Sequence, residues 1–287
     1  MRTPSRLRPI AGALLGLPLA ASASASASAS WVGYSALFVP HRLASPAAVS
    51  GERREFASTA GPLSYYRCGP AAPTDPLLLV HSVNAAAAAY EVRPLYEHYC
   101  KTRTVYALEL PGFGFSARRD RAYTPRLMTD AILAMASEIA AAHGGAAIDA
   151  LALSLSSEFL ARAAAERPAA FRSIALVSPT GFSRNMPAGA TPGGTRGMPA
   201  LRRILSFPLW SRALYDLLAS KPSIRFFLQK AWGSKDIDEG LLEYDYLTTH
   251  QPGAPYAPYF LSAVFCSAST SSKSIDPCRT RYGCRTG

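Results

Sequence analysis

The chain has 287 residues, 49% hydrophobic and only 17% charged, enough apolar material for one large α/β domain or two small ones. Its net charge of +11 and pI near 9.6 invite a nucleic-acid reading. The basic residues are scattered, with no long Lys/Arg run and no aromatic-basic array, so nucleic acid is set aside as a partner.

Residues 1–51 contain no Asp or Glu. Arg2, Arg6 and Arg8 precede an apolar run from Ile10 to Ala20 and a strict Ala-Ser repeat from Ala21 to Ser30. That order describes an export signal with cleavage in the Ala-Ser tract. An acid-free leader with Arg and Ser also fits an organellar transit peptide. A third reading joins Ile10–Ala20 through the repeat to Trp31–Val39 as a membrane anchor. Alternating serines weaken it, because a span needs about 20 predominantly apolar residues. The expectation is a targeting, low-complexity leader over 1–51, exported, membrane-associated or organelle-targeted.

Arg53–Ser58 and Leu63–Arg67 flank Thr-Ala-Gly-Pro and read as a hairpin. Leu77–Val80 is all apolar, as a central parallel strand covered on both faces must be. It ends in His81-Ser82-Val83-Asn84. Val92, Leu95, Tyr96 and Tyr99 then recur at helical spacing. Thr104–Leu108 is the next strand, running into a turn with Gly112 and Gly114. Thr124-Pro125 pairs a cap with proline at the first helical position. Met128, Ile132, Met135 and Ile139 form one stripe, and Gly144-Gly145 ends that helix.

Ala150–Leu153 reads as a buried strand. Ser154 follows at once, and a helix runs from Ser156 to just before Pro168, which cannot continue it. A serine between a strand end and a helix start presents its hydroxyl on a sharp turn, next to free helix-terminal N–H donors. Ser173–Val177 is another strand, leading into Ser178. Strands alternating with helices in this way predict a doubly wound, mostly parallel sheet. Ligands bind such sheets at the carboxyl ends of the strands, where His81, the Gly112/Gly114 turn, Ser154 and Ser178 all fall. The core is expected over 52–182. Residues 187–199 are rich in Gly and Pro. Leu201–Leu218, Ile224–Trp232 and Asp238–Thr249 read as helices of a lid spanning 183–260, with 251–259 an irregular connector. The five cysteines include no Cys-x-x-Cys, which argues against zinc, and they suggest no disulfide framework.

Three pieces resemble the α/β-hydrolase fold in order and spacing. His81-Ser82-Val83-Asn84 sits where the family has a His-Gly loop. Leu110-Pro111-Gly112-Phe113-Gly114-Phe115-Ser116 is close to the family's Leu-Pro-Gly-x-Gly-x-Ser. Ala152-Leu153-Ser154-Leu155-Ser156 takes the place of Gly-x-Ser-x-Gly, with small residues but no glycine at the flanks. The resemblance implies Ser154 as nucleophile and the backbone N–H groups of Val83 and Leu155 as oxyanion hole. It implies acyl transfer to water with no metal or organic cofactor.

The family order is Ser, then Asp or Glu, then His. No apolar strand of four or more residues follows Phe265, Asp276 is not in a strand-end context, and no histidine follows His250. From sequence, the core therefore reads as a hydrolase fold whose last strands are missing, followed by an irregular tail over 261–287. His81 belongs to the oxyanion loop and is expected to be structural. His250 is the one histidine after Ser154. Asp216, Asp236, Asp238 and Asp245 read as solvated lid residues. Three readings stand: a serine hydrolase of carboxylic esters or similar acyl compounds, a catalytically inactive binding protein of the same fold, and a fragment without function. The aromatic residues Phe207, Trp210, Tyr215, Phe226, Phe227 and Trp232 point to a small apolar acyl or ester partner, although at helical spacing they also suit a lid core.

Overall fold

The computed structural model describes residues 28–70, 75–181 and 199–265. A hairpin of β1 (Glu52–Ser58) and β2 (Gly61–Cys68) opens the sheet. β3 (Leu77–Val80), β4 (Val105–Glu109), β5 (Ile148–Leu153) and β6 (Phe171–Val177) follow. The strand order is β1-β2-β4-β3-β5-β6. β1 and β2 run antiparallel to their neighbours, and the other pairings are parallel.

The strand period of two divides the side chains between two cores. Leu78, Val80, Tyr106, Leu108, Ile148, Ala150 and Ala152 pack on one face, against α3 (Pro125–Ala142) and α4 (Ser156–Glu166). Leu77, Leu79, Val105 and Ala107 pack on the other, with Val92 and Tyr96 from the turn Ala89–Val92 and α2 (Arg93–Tyr99). Every residue of β3 is buried, so a side chain of either parity lands in a core. Fully burying each Leu or Val there stabilises the fold by about 1.5–3 kcal/mol. α3 starts where the cap and proline place it, with the Thr124 hydroxyl accepting from Leu127 N–H at 3.1 Å.

After β6 come α5 (Pro199–Leu205), α6 (Ser211–Leu218), α7 (Lys221–Trp232), α8 (Glu239–Thr249) and α9 (Tyr256–Phe265). The stretch expected as an irregular connector therefore ends inside a helix. Ala257, Phe260 and Leu261 of α9 join the main core, and a Cβ on Gly112 would lie 2.5 Å from that of Ala257. This burial of one apolar helix face outweighs the Pro and Gly content that read as a loop.

The expected leader divides. Residues 1–27 lie outside the described residues. Residues 28–38 form a helix, α1, and Ala48 and Val49 are buried beside Tyr66. Trp31 Nε1–H donates to Ala213 O at 2.7 Å and His41 lies 3.0 Å from Asp216, so this stretch packs on the folded body. Most of the Gly- and Pro-rich segment and the tail from Cys266 also lie outside the described residues. Cys68 at the end of β2 and Cys100 after α2 form a disulfide, with Cα atoms 5.5 Å apart. Their separation of 32 residues carries no motif, and only the fold brings them together. Among the described residues β6 is an edge strand, and no helix is long and apolar enough to cross a membrane.

Candidate active site

The chain leaves β5 at Leu153 and enters α4 at Ser156. Ser154 makes the turn with φ of 50°, a left-handed conformation that costs an L-residue about 1–2 kcal/mol. Its backbone is clamped on both sides. Ser154 N–H donates to Val177 O at 2.9 Å, and Ser154 O accepts from Thr180 N–H at 3.2 Å. The hydroxyl is half-buried and lies 3.3 Å from Thr180 Oγ1. Ser178, at the end of the adjacent strand, is the other non-glycine residue with positive φ among the described residues, 47°. Both strained serines sit at the carboxyl edge of the sheet.

Ser156 stands where a glycine would be expected. Its side chain is fully buried, and its hydroxyl donates to His81 O at 2.6 Å. The side chain is thus accommodated by a hydrogen bond that ties the elbow to the loop after β3.

That loop is held by a carboxylate with no signal in the sequence. Glu91 accepts from Ser82 N–H at 2.7 Å, from the Ser82 hydroxyl at 2.9 Å and from Asn84 Nδ2 at 2.8 Å. Burial pushes its pKa up, and the Ser82 and Asn84 donors oppose that shift. His81 Nδ1 donates to Ser82 O at 2.6 Å, and its Nε2 accepts from Leu110 N–H at 3.1 Å. The bonds fix a neutral tautomer, and burial lowers the ring's pKa to about 4. His81 is a structural strut between two loops.

The N–H groups of Val83 and Leu155 have no hydrogen-bond partner among the described residues. Both residues line one cavity of about 220 Å³, with Asn84, Ala85, Tyr215, Leu218, Pro258, Tyr259 and Leu261. Tyr215 is anchored there by donating to Ala85 O at 2.8 Å. An acyl carbonyl placed between two such donors would have its developing negative charge stabilised.

The Leu110–Ser116 turn is tied to the loop after β3 by the Leu110–His81 hydrogen bond. Gly112 and Gly114 have φ of 86° and 49°. The Glu109 carboxylate accepts from Phe115 N–H, and burial pushes its pKa up to about 7. Arg118 joins the turn to α8 through Gly114 O at 3.0 Å and Thr248 O at 2.7 Å.

No histidine is hydrogen-bonded to Ser154 among the described residues. His250 Nδ1 is engaged with Tyr246 O at 2.6 Å, and His143 with the Tyr106 hydroxyl at 3.0 Å. Two acids expected to be solvated are not. Asp216 is buried, holding Ser35 and His41, and Asp245 is buried with its pKa pushed up to about 9 by desolvation. The Asp216 side chain meets Ser35 and His41, far away in sequence, so its burial was invisible there. Asp236 and Asp238 are exposed, and Asp238 caps α8. No group of three or more potential metal-ligating His, Cys, Asp or Glu side chains occurs among the described residues.

No curated protein matches the sequence. Solved structures share its fold. A probable hydrolytic enzyme from Pseudomonas aeruginosa PAO1 is 17% identical, with TM-score 0.56, covering 78% of this chain and 69% of that one. A putative lipase from Acinetobacter baumannii AYE is 17% identical, with TM-score 0.53, covering 77% and 67%. An epoxide hydrolase is 16% identical, with TM-score 0.53, covering 76% and 75%. The sequence itself matches the alpha/beta hydrolase family over residues 77–274, from β3 past α9. With its six-stranded sheet and the match spanning well over half of its length, the chain belongs to the alpha/beta hydrolase family.

Proposed function

We propose that the chain hydrolyses carboxylic esters or similar acyl compounds through Ser154. The observation that carries this is the left-handed Ser154 at the strand–helix junction, beside a cavity lined by Val83 and Leu155. In this mechanism Ser154 Oγ attacks the acyl carbon and the two N–H groups hold the oxyanion. The alcohol departs with a proton, and water then releases the acyl group. The apolar cavity lining supports a small apolar acyl or alcohol group as substrate. A second reading is favoured because no imidazole contacts Ser154 among the described residues: the cavity binds an acyl ligand without turning it over. A fluorophosphonate probe separates the two. Labelling that disappears in Ser154→Ala supports hydrolysis. A folded sample that stays unlabelled, yet is stabilised saturably by octanoate, overturns hydrolysis and supports binding.

The basic, apolar and Ala-Ser succession before α1 supports export, with a transit peptide as the alternative. The Cys68–Cys100 disulfide favours an oxidising compartment. Cell fractionation with intact-mass measurement tests this. A reduced protein with its full leader in the cytoplasm would overturn it.

A further inference from the structure

We infer that Glu91 is a positioning residue: its carboxylate sets the direction of the Val83 N–H proposed as an oxyanion donor. The kinetic consequence rests on the proposed function, whereas the loop geometry stands by itself. Val83 lies between the two residues that Glu91 grips. Glu91 Oε2 accepts from Ser82 N–H at 2.7 Å, and Oε1 accepts from the Ser82 hydroxyl at 2.9 Å and from Asn84 Nδ2 at 2.8 Å. Both oxygens act only as acceptors, as an ionised carboxylate does. Asn84 Nδ2 also donates to Ser82 Oγ at 2.9 Å, and Asn84 Oδ1 accepts from Ala86 N–H at 2.7 Å. Ser82 O is held by His81 Nδ1 at 2.6 Å. The Ser82–Val83 peptide is planar and trans, so fixing Ser82 O fixes the Val83 N–H on its opposite side. Glu91 secures the residue on each side of that peptide, and the plane cannot swing.

A strut must itself be anchored, and the turn Ala89–Val92 is. Ala89 and Val92 are buried in the second core, Glu91 N–H donates to Ala88 O at 3.1 Å, and the Tyr90 ring stacks on Tyr244 of α8 at 4.8 Å. The backbone of Glu91 therefore cannot follow the loop it holds. No Lys or Arg pairs with Glu91 among the described residues, so its oxygens serve the loop and not a cation. Glu97, on α2, supplies the contrast. Its carboxylate grips Ser50 in the same manner, through the N–H at 3.0 Å and the hydroxyl at 2.7 Å, but neither residue lines the cavity. The two carboxylates share their chemistry and differ in what they hold.

The test measures p-nitrophenyl butyrate turnover and amide hydrogen exchange on the full chain. Glu91→Gln keeps the size of the side chain but sets an NH2 group against a donor. It should lower kcat by about tenfold to a hundredfold, part of the effect of losing an oxyanion donor outright. KM should stay within about twofold, because the donor acts on the transition state and not on the bound ester. Exchange should quicken over residues 82–86 and stay unchanged over α3. Asn84→Ala, at an exposed position, should cost less, and adding it to Glu91→Gln should bring no further loss, since both act through one network. Glu97→Gln should keep wild-type kcat. A wild-type kcat in Glu91→Gln, additive losses, a comparable loss in Glu97→Gln, or exchange that quickens over α3 as much as over the loop overturns the inference. A wild-type chain with neither turnover nor fluorophosphonate labelling defeats the ester reading instead. Exchange then decides the loop: faster exchange over 82–86 alone in Glu91→Gln upholds the strut, and a wild-type rate overturns it.

Discussion

Replacing Ser154 with glycine should make the protein more stable while removing the proposed nucleophile. The φ of 50° costs an L-residue about 1–2 kcal/mol, and glycine escapes that cost. Glycine also loosens the unfolded chain, by roughly 0.5–1 kcal/mol. The serine hydroxyl gives up only a long contact to Thr180, 3.3 Å. The net gain is about 0.5–1 kcal/mol, a rise in Tm of about 1–4 °C for a domain of this size. Ser154→Ala is the control, because alanine suffers the same left-handed strain as serine. Urea unfolding monitored by circular dichroism should place the glycine variant's midpoint above those of wild type and Ser154→Ala. Fluorophosphonate labelling should be absent from both variants. A glycine midpoint equal to or below that of alanine would refute the argument that the elbow stores backbone strain.

Glu109 is pushed up to about 7 in the folded state from an ordinary 4.5, so between those values the folded protein holds a proton that the unfolded chain has lost. Stability should then fall by about 3 kcal/mol as pH rises from about 4.5 to 7, and Glu109→Gln should flatten that fall in urea titrations at the two pH values. β6 leaves one edge unpaired among the described residues, and Ala175 is exposed on it. Ala175→Lys should lower concentration-dependent light scattering, since a charge on an open edge opposes strand-to-strand association. Unchanged scattering would mean that the edge is not the associating surface.

Local chemistry made much of the sheet legible. Leu77–Val80 is wholly apolar, Thr124-Pro125 carries its own cap, and Pro168 ends α4 because proline cannot donate. The Leu110–Ser116 turn and Ser154 were also visible, as both are defined by consecutive residues. What the sequence could not reveal depends on partners far apart along the chain. Glu91 holds the Ser82–Asn84 loop from the turn Ala89–Val92. Ser156 is tolerated in place of glycine because His81 O lies where its hydroxyl can reach it. Asp216 is buried because Ser35 and His41 cross 175 or more residues to meet it. α1 and α9, low-complexity and Pro-rich to the eye, became ordered by packing against surfaces that only the folded sheet creates. The sequence by itself determined the strands, their alternation with helices and the sharp turn at Ser154, since short-range sterics and hydrophobic period encode them. Tertiary structure decided the support of the Ser82–Asn84 loop and the cavity, since burial and long-range hydrogen bonding exist only after the chain has closed on itself.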